Sequence, residues 1–75
     1  MKEKFLDAFK EALELEDESV SFEDILADFD TWDSMSRLSL IALLDEHFEV
    51  EVSDAEFDDI NTVQELFELV KKRAA

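Results

Sequence analysis

The chain must fold around one apolar core, because its 75 residues include no cysteine and no disulfide can tie them together. A domain of this length buries a smaller share of its surface than a large one, so the core is modest. The hydrophobic fraction of 47% is nevertheless sufficient to build it, which argues against a disordered acidic tail. We expect one domain over residues 1–75.

Charge restricts the partners. The chain has 22 acidic and 7 basic residues, a formal net charge of −15. Such a surface repels nucleic acid phosphates and anionic lipids, so we expect neither nucleic acid binding nor membrane insertion. Between Lys10 and Lys71, Arg37 is the one firmly cationic side chain. The expected partners are therefore proteins with basic patches.

The sequence also gives an expectation about location. It contains no apolar run of membrane-spanning length, and no signal-peptide pattern follows Met1. We expect a cytoplasmic, monomeric protein.

Two apolar stripes at helical spacing predict the first and last helices. The first stripe consists of Phe5, Leu6, Phe9, Ala12 and Leu13. The last consists of Val63, Leu66, Phe67 and Val70. Glycine and proline are absent, so the helix limits are read from capping residues. The first helix is expected to end in the acidic stretch 14–18, and the segment 61–64 is expected to cap the last one.

A long connection is predicted from about residue 19 to residue 33. Its large apolar residues are Val20, Phe22, Ile25, Leu26, Phe29 and Trp32. These are too many for a solvated linker, so the segment is expected to lie across the core with a short helical turn over 21–27. A connection longer than about 12–15 residues in a compact domain is usually functional.

The second helix is predicted to begin near Asp33 or Ser34 and to end near Phe48. Its apolar side is predicted to consist of Leu38, Ile41, Leu44 and Phe48, widened by Leu40 and Leu43. The segment 50–52 alternates apolar and charged residues but is too short for an independent strand. Ser53 and Glu56 form a capping box that predicts a short helix. The expected fold is all-α: a small four-helix bundle of three longer helices and a short third one, with a long first loop.

Catalytic and metal sites are not expected. His47 and Ser34 lie thirteen residues apart, or roughly 20 Å along one helix, which excludes a Ser-His pair. The segment 28–33 resembles the start of an EF-hand loop, but the glycine and glutamate that such a loop needs are replaced by Asp33 and Ser39. The many carboxylates are best interpreted as solvated acidic faces.

The segment Asp33-Ser34-Met35 has two interpretations. Asp and Ser are both favoured helix N-caps. However, Arg37 occupies the place where a capping box beginning at Ser34 would have Glu or Gln. A hydroxyl at a helix N-terminus is also well placed to bear a covalently attached phosphate, because free amides and the positive end of the helix dipole favour it.

Taken together, these features resemble the acyl carrier protein family, which includes peptidyl and D-alanyl carriers. The resemblance covers nearly the whole chain: Asp33-Ser34-Met35 after a long loop, the apolar and acidic helix 38–48, Val50-Glu51-Val52, the short helix 54–60, and Asn61-Thr62-Val63. It implies that a separate phosphopantetheinyl transferase joins 4′-phosphopantetheine to Ser34. The thiol of that arm then holds a cargo as a thioester, and the protein has no catalytic activity of its own.

The resemblance also implies roles for other residues. Asp33 helps the transferase to engage the serine. The apolar part of a docking face consists of Met35, Leu38 and Ala42, and its charged rim consists of Asp45, Glu46 and Glu56. The alternative for these six residues is core packing for the apolar ones, Leu38 in particular, and simple solvation for the charged ones. The implied partners are the transferase, an acyl- or aminoacyl-loading ligase, and acyl-transferring enzymes with basic docking patches.

Several positions depart from the family pattern. Thr31 and Glu49 stand where glycines are common, and Arg37 and Ser39 make the start of the second helix less acidic. These departures favour a free-standing carrier in a specialised pathway over one in bulk fatty-acid synthesis. The cargo remains open among fatty acyl, polyketide, amino acid and D-alanyl groups. The alternative function is an unmodified acidic helical module that binds other proteins.

Overall fold

The computed structural model describes residues 2–74, and three α-helices account for most of them. The α-helices are α1 (Lys2–Leu13), α2 (Ser34–Phe48) and α3 (Val63–Ala74). Two 3₁₀ helices accompany them: the loop helix (Leu26–Asp28) and the short helix (Asp54–Asp59). No strand occurs among residues 2–74. The all-α architecture with a short third helix is therefore confirmed.

The buried face of α3 is the one that its apolar stripe predicts, and that of α1 differs in that Ala8 is buried while Leu6 is only half-buried. Helix α1 buries Phe5, Ala8, Phe9, Ala12 and Leu13. Helix α3 buries Val63, Leu66, Phe67 and Val70. Complete burial of one large apolar side chain is worth roughly 1.5–3 kcal/mol, so these two faces supply much of the stability of a chain that has no covalent cross-link.

The predicted apolar side of α2 is partly wrong. Leu40 and Leu44 are fully buried and continue a line that begins at Ser36, whereas Leu38 is 61% exposed. The apolar residues of α2 point to almost every side of the helix, so their spacing alone does not identify the buried face. The neighbouring α1 and short helix determine it instead, and Leu38 is left in solvent.

The long loop (residues 14–33) lies across the core, as predicted. The Phe22 ring centroid is 6.4 Å from that of Phe5 and 5.2 Å from that of Phe67. The Phe29 ring packs edge-on against Phe9 with centroids 5.6 Å apart. The loop is thus held by aromatic contacts to both α1 and α3.

Backbone hydrogen bonds join the same loop to the start of α3. The Leu26 amide donates to the Asn61 carbonyl at 2.9 Å, and the Gln64 amide donates to the Phe22 carbonyl at 2.8 Å. The helical turn predicted over 21–27 lies later, at residues 26–28. Residues 21–24 form a tight turn instead, in which the Ser21 amide donates to the Asp24 carboxylate at 2.8 Å.

Side-chain caps determine where the short helix and α3 begin. The Ser53 amide donates to Glu56 Oε2 at 2.8 Å, which agrees with the predicted capping box. At α3 the box is formed by Thr62 and Glu65, so it extends one residue beyond the predicted capping segment 61–64. The Glu65 amide donates to Thr62 Oγ1 at 3.2 Å, and the Thr62 amide donates to Glu65 Oε1 at 3.0 Å.

Two glutamates occupy left-handed backbone conformations that usually belong to glycine. Glu14 follows α1 and Glu49 follows α2, and each has φ of 57°. The Glu49 amide donates to the Asp45 carbonyl at 2.9 Å and so closes the helix. A residue with a Cβ pays roughly 1–2 kcal/mol for this conformation, and glycine does not.

We therefore predict that Glu49→Gly stabilises the protein by about 1 kcal/mol, which raises the Tm of a domain of this size by roughly 4–8 °C. Glu49→Gln is the matched control, because it removes the same charge but keeps the Cβ atom. Thermal unfolding followed by circular dichroism measures both. Equal Tm values for the two variants would show that the backbone conformation carries no cost.

Candidate functional site

The candidate site centres on the first turn of α2. Asp33 is the N-cap, and Ser34 is the first helical residue. The Ser36 amide donates to Asp33 Oδ1 at 2.9 Å, and the Asp33 amide donates to Ser36 Oγ at 2.9 Å. The capping box is therefore formed by Asp33 and Ser36, and not by a box beginning at Ser34.

This capping arrangement leaves the Ser34 hydroxyl uncommitted. Ser34 is exposed, and its side chain makes no hydrogen bond within residues 2–74. The first amides of α2 have no partner inside the helix, and its dipole places positive charge at this end. An exposed, unbonded hydroxyl at such a terminus fits a phosphate ester.

Trp32 fixes the end of the long loop two residues before Ser34. Its half-buried ring lies edge-on to Phe57 of the short helix, with centroids 5.4 Å apart. On the other side it stacks near Phe9 of α1, with centroids 6.5 Å apart. The segment that presents Ser34 is thus packed against two other elements of the fold.

Five of the predicted docking residues lie together on α2, on the side away from its buried line. The exposed five are Met35, Leu38, Ala42, Asp45 and Glu46. Met35 is 78% exposed and Leu38 is 61% exposed. Two large apolar side chains exposed beside the exposed Ser34 are typical of a binding surface and not of a core.

Glu56, the sixth predicted docking residue, faces α2 across an open groove of about 520 Å³. The groove is lined by Ile41, Ala42, Asp45, Glu51, Val52, Ser53 and Glu56. His47 is exposed near the end of α2. No cluster of metal-ligating side chains occurs in the described part of the chain, and none of its helices is long and apolar enough to cross a membrane.

Residues 3–70 match the family model described as the phosphopantetheine attachment site. The chain belongs to this family. The acyl carrier protein of Buchnera aphidicola subsp. Acyrthosiphon pisum (strain Tuc7) is 42% identical over 41 residues, which cover 55% of this chain and 51% of that protein. The acyl carrier protein of Buchnera aphidicola subsp. Baizongia pistaciae (strain Bp) is 26% identical over 72 residues, which cover 96% and 92% of the two chains.

The fold has a solved counterpart. The solution NMR structure of the holo acyl carrier protein from Geobacter metallireducens superposes with a TM-score of 0.77 at 25% identity, over 95% of this chain and 82% of that one. The chain spans about half the length of the first curated relative and nearly all of the second. The cofactor of the acyl carrier family is 4′-phosphopantetheine, and its members are carriers without catalytic activity of their own.

Arg37 makes a contact that the sequence analysis did not predict. Its Nε atom lies 3.2 Å from Asp54 Oδ1, and its Nη1 atom lies 3.8 Å from Asp58 Oδ1. These two ion pairs join α2 of this carrier-family chain to its short helix. The isolated position of Arg37 in an otherwise anionic stretch was the available signal, but the sequence does not say which carboxylates it meets.

Glu56, whose role in docking stays a prediction, is also engaged by hydrogen bonds within the chain. The Arg73 Nη1 atom donates to Glu56 Oε2 at 2.9 Å and to the Glu51 carbonyl at 2.7 Å, and Nη2 donates to Glu56 Oε1. The hydrogen bonds from Arg73, helped by the Ser53 amide, lower the pKa of Glu56 from 4.5 to about 2. Glu56 thus serves the fold by joining the short helix to α3.

We predict that Arg73→Ala raises the pKa of Glu56 from about 2 toward 4.5. Because the folded pKa is the lower one, the pair stabilises the protein above about pH 4.5, and this contribution is lost as the pH falls toward 2. A carboxyl ¹³C NMR titration measures the pKa directly. Lys72→Ala is the control, and an equal effect of both variants would contradict a specific Arg73 contact.

Proposed function

We propose that Ser34 carries 4′-phosphopantetheine and that the protein delivers acyl or aminoacyl groups between enzymes. In the modification, Ser34 Oγ forms a bond to the pyrophosphate phosphorus of coenzyme A that bears the pantetheine. The P–O bond from this phosphorus to the nucleotide half breaks, 3′,5′-ADP leaves, and the hydroxyl proton passes to a base of the transferase. The arm supplies the thiol that holds the cargo as a thioester. The chain itself provides the attachment point and the surface that enzymes recognise.

One observation carries this proposal. The Ser34 hydroxyl is exposed at the first position of α2, while its neighbours Asp33 and Ser36 satisfy the cap between themselves. Serine is a favoured cap residue, yet the capping hydrogen bonds at this helix start do not use Ser34. Ser34 is thus available to a transferase without loss of any hydrogen bond within residues 2–74.

The exposed face of α2 is the proposed docking surface. Met35, Leu38 and Ala42 offer apolar contact, and Asp45 and Glu46 offer charge for the basic patches of partner enzymes. Acyl carrier proteins in general interact with phosphopantetheinyl transferases and acyl-handling enzymes. We propose the same partners here, for a monomeric, single-domain carrier that works in the cytoplasm.

The charge along α2 supports a specialised pathway over bulk fatty-acid synthesis. The first turn of α2 contains no acidic residue, and Arg37 places a positive charge there. The acidic residues of the docking surface begin only at Asp45. A partner enzyme therefore needs its basic patch opposite the far half of α2 and not opposite the modified serine.

The first test is intact mass before and after incubation with coenzyme A and a broad-specificity phosphopantetheinyl transferase. We predict a gain of one phosphopantetheine in the wild type and none in Ser34→Ala. Ser34→Ala should unfold at the wild-type temperature, because the hydroxyl makes no hydrogen bond within residues 2–74. No gain with several transferases would favour the unmodified acidic interaction module.

Two substitutions at Asp33 separate its structural role from transferase recognition. Asn is as good an N-cap as Asp, so we predict that Asp33→Asn keeps the stability but slows modification of Ser34 through loss of charge. Asp33→Ala should slow modification and also lower the free energy of unfolding by about 1 kcal/mol, because the Ser36 amide loses its acceptor. Wild-type modification rates for Asp33→Asn would rule out a role of the charge.

A further inference from the structure

Arg37 lies one helical turn after Ser34 on α2. Side chains three residues apart on a helix are neighbours, with Cβ atoms about 5–6 Å apart. A phosphate on Ser34 would therefore lie within reach of the Arg37 guanidinium. The Arg37 side chain is 23% exposed, so it already lies against the protein and is not extended into solvent.

The guanidinium of Arg37 has unused hydrogen-bond donors. Its Nε atom is 3.2 Å from Asp54 Oδ1, but the N–H does not point at that oxygen, and Nε has no hydrogen-bond partner in the described part of the chain. The 3.8 Å from Nη1 to Asp58 Oδ1 is too long for a hydrogen bond. An arginine has five N–H donors in a fork that suits phosphate oxygens. The Arg37 guanidinium makes ion pairs but no hydrogen bond in the described part of the chain, so it can donate to a better partner.

Four of the six other basic side chains are engaged elsewhere. Lys2, Lys4 and Lys71 lie over the rings of phenylalanines, at 5.5–5.9 Å from the ring centroids. Arg73 is bound to Glu56 and Glu51. A phosphodiester on Ser34 adds a negative charge to a chain whose formal charge is already −15. Arg37 is the cation that the sequence places beside it.

We propose that Arg37 binds the phosphodiester that joins the arm to Ser34. This inference rests on the proposed function, because it requires the arm. Formation of the contact draws the guanidinium away from Asp54 and Asp58, so modification loosens the tie between α2 and the short helix. The phosphate-proximal end of the arm is then held against α2, while the thiol end stays mobile.

The experiment compares apo and holo protein by NMR, using the arginine Nε–H resonances and the ³¹P resonance. The chain has two arginines, so Arg73 is an internal control. Modification should shift the Arg37 Nε–H resonance and leave that of Arg73 in place. The ³¹P resonance of the holo protein should move in Arg37→Gln, and Arg37→Lys should restore part of the difference because it keeps the charge but not the fork.

Two results would overturn the proposal. One is an Arg37 Nε–H resonance that does not change on modification, and the other is a ³¹P resonance that is the same in the wild type and Arg37→Gln. In both cases Arg37 would be only an ion-pair partner of the short helix. A chain that gains no phosphopantetheine at all would instead contradict the assignment of Ser34, so the two failures are distinguishable by mass.

Discussion

The structure depends on aromatic contacts that hold the long loop on α1. Phe5 contacts Phe22, and the fully buried Phe9 contacts both Phe29 and Trp32. Ordering a loop of this length costs roughly 1–2 kcal/mol per residue in backbone entropy, and no disulfide reduces that cost. Burial of the large rings offsets this entropy cost, because each ring removes about 150–250 Å² of surface from water. The loop is therefore part of the core, and the serine that follows it has a fixed position.

Local hydrogen bonding then determines what Ser34 can do. A helix N-terminus needs a side-chain acceptor, and a serine at that point is normally used for it. Here the Asp33 carboxylate accepts a hydrogen bond from the Ser36 amide, and the Ser36 hydroxyl accepts one from the Asp33 amide. The helix start is therefore capped by the residues on either side of Ser34. The packed loop thus holds the backbone of Ser34 in place, while the cap made by Asp33 and Ser36 leaves its hydroxyl without a hydrogen bond. Attachment of a bulky group to Ser34 would therefore break neither of these capping hydrogen bonds.

The parts of the fold that follow from short-range pattern were predictable, and those that depend on distant residues were not. The stripes of α1 and α3 and the capping box at Ser53 depend on spacings of three and four residues. The structure agrees with them, except that Ala8 replaces Leu6 on the buried face of α1. The apolar spacing put Leu38 on the buried side of α2, whereas it is exposed, because α2 is apolar on most sides and the neighbouring helices determine which side is buried. The partners of Arg37 and Arg73 lie 17 or more residues away in the chain, and no local spacing specifies such pairs.

Both arginines of the chain are used to hold the same element, the short helix. Arg37 approaches it from α2 through Asp54 and Asp58, and Arg73 approaches it from α3 through Glu56. A 3₁₀ helix of six residues has weak internal hydrogen bonds, so its position depends on these ion pairs and on the buried Phe57. The same carboxylates are also what a basic patch on a partner enzyme would seek. A partner that bound these carboxylates would have to compete with the internal arginines, and its binding would then be coupled to the position of the short helix beside the groove.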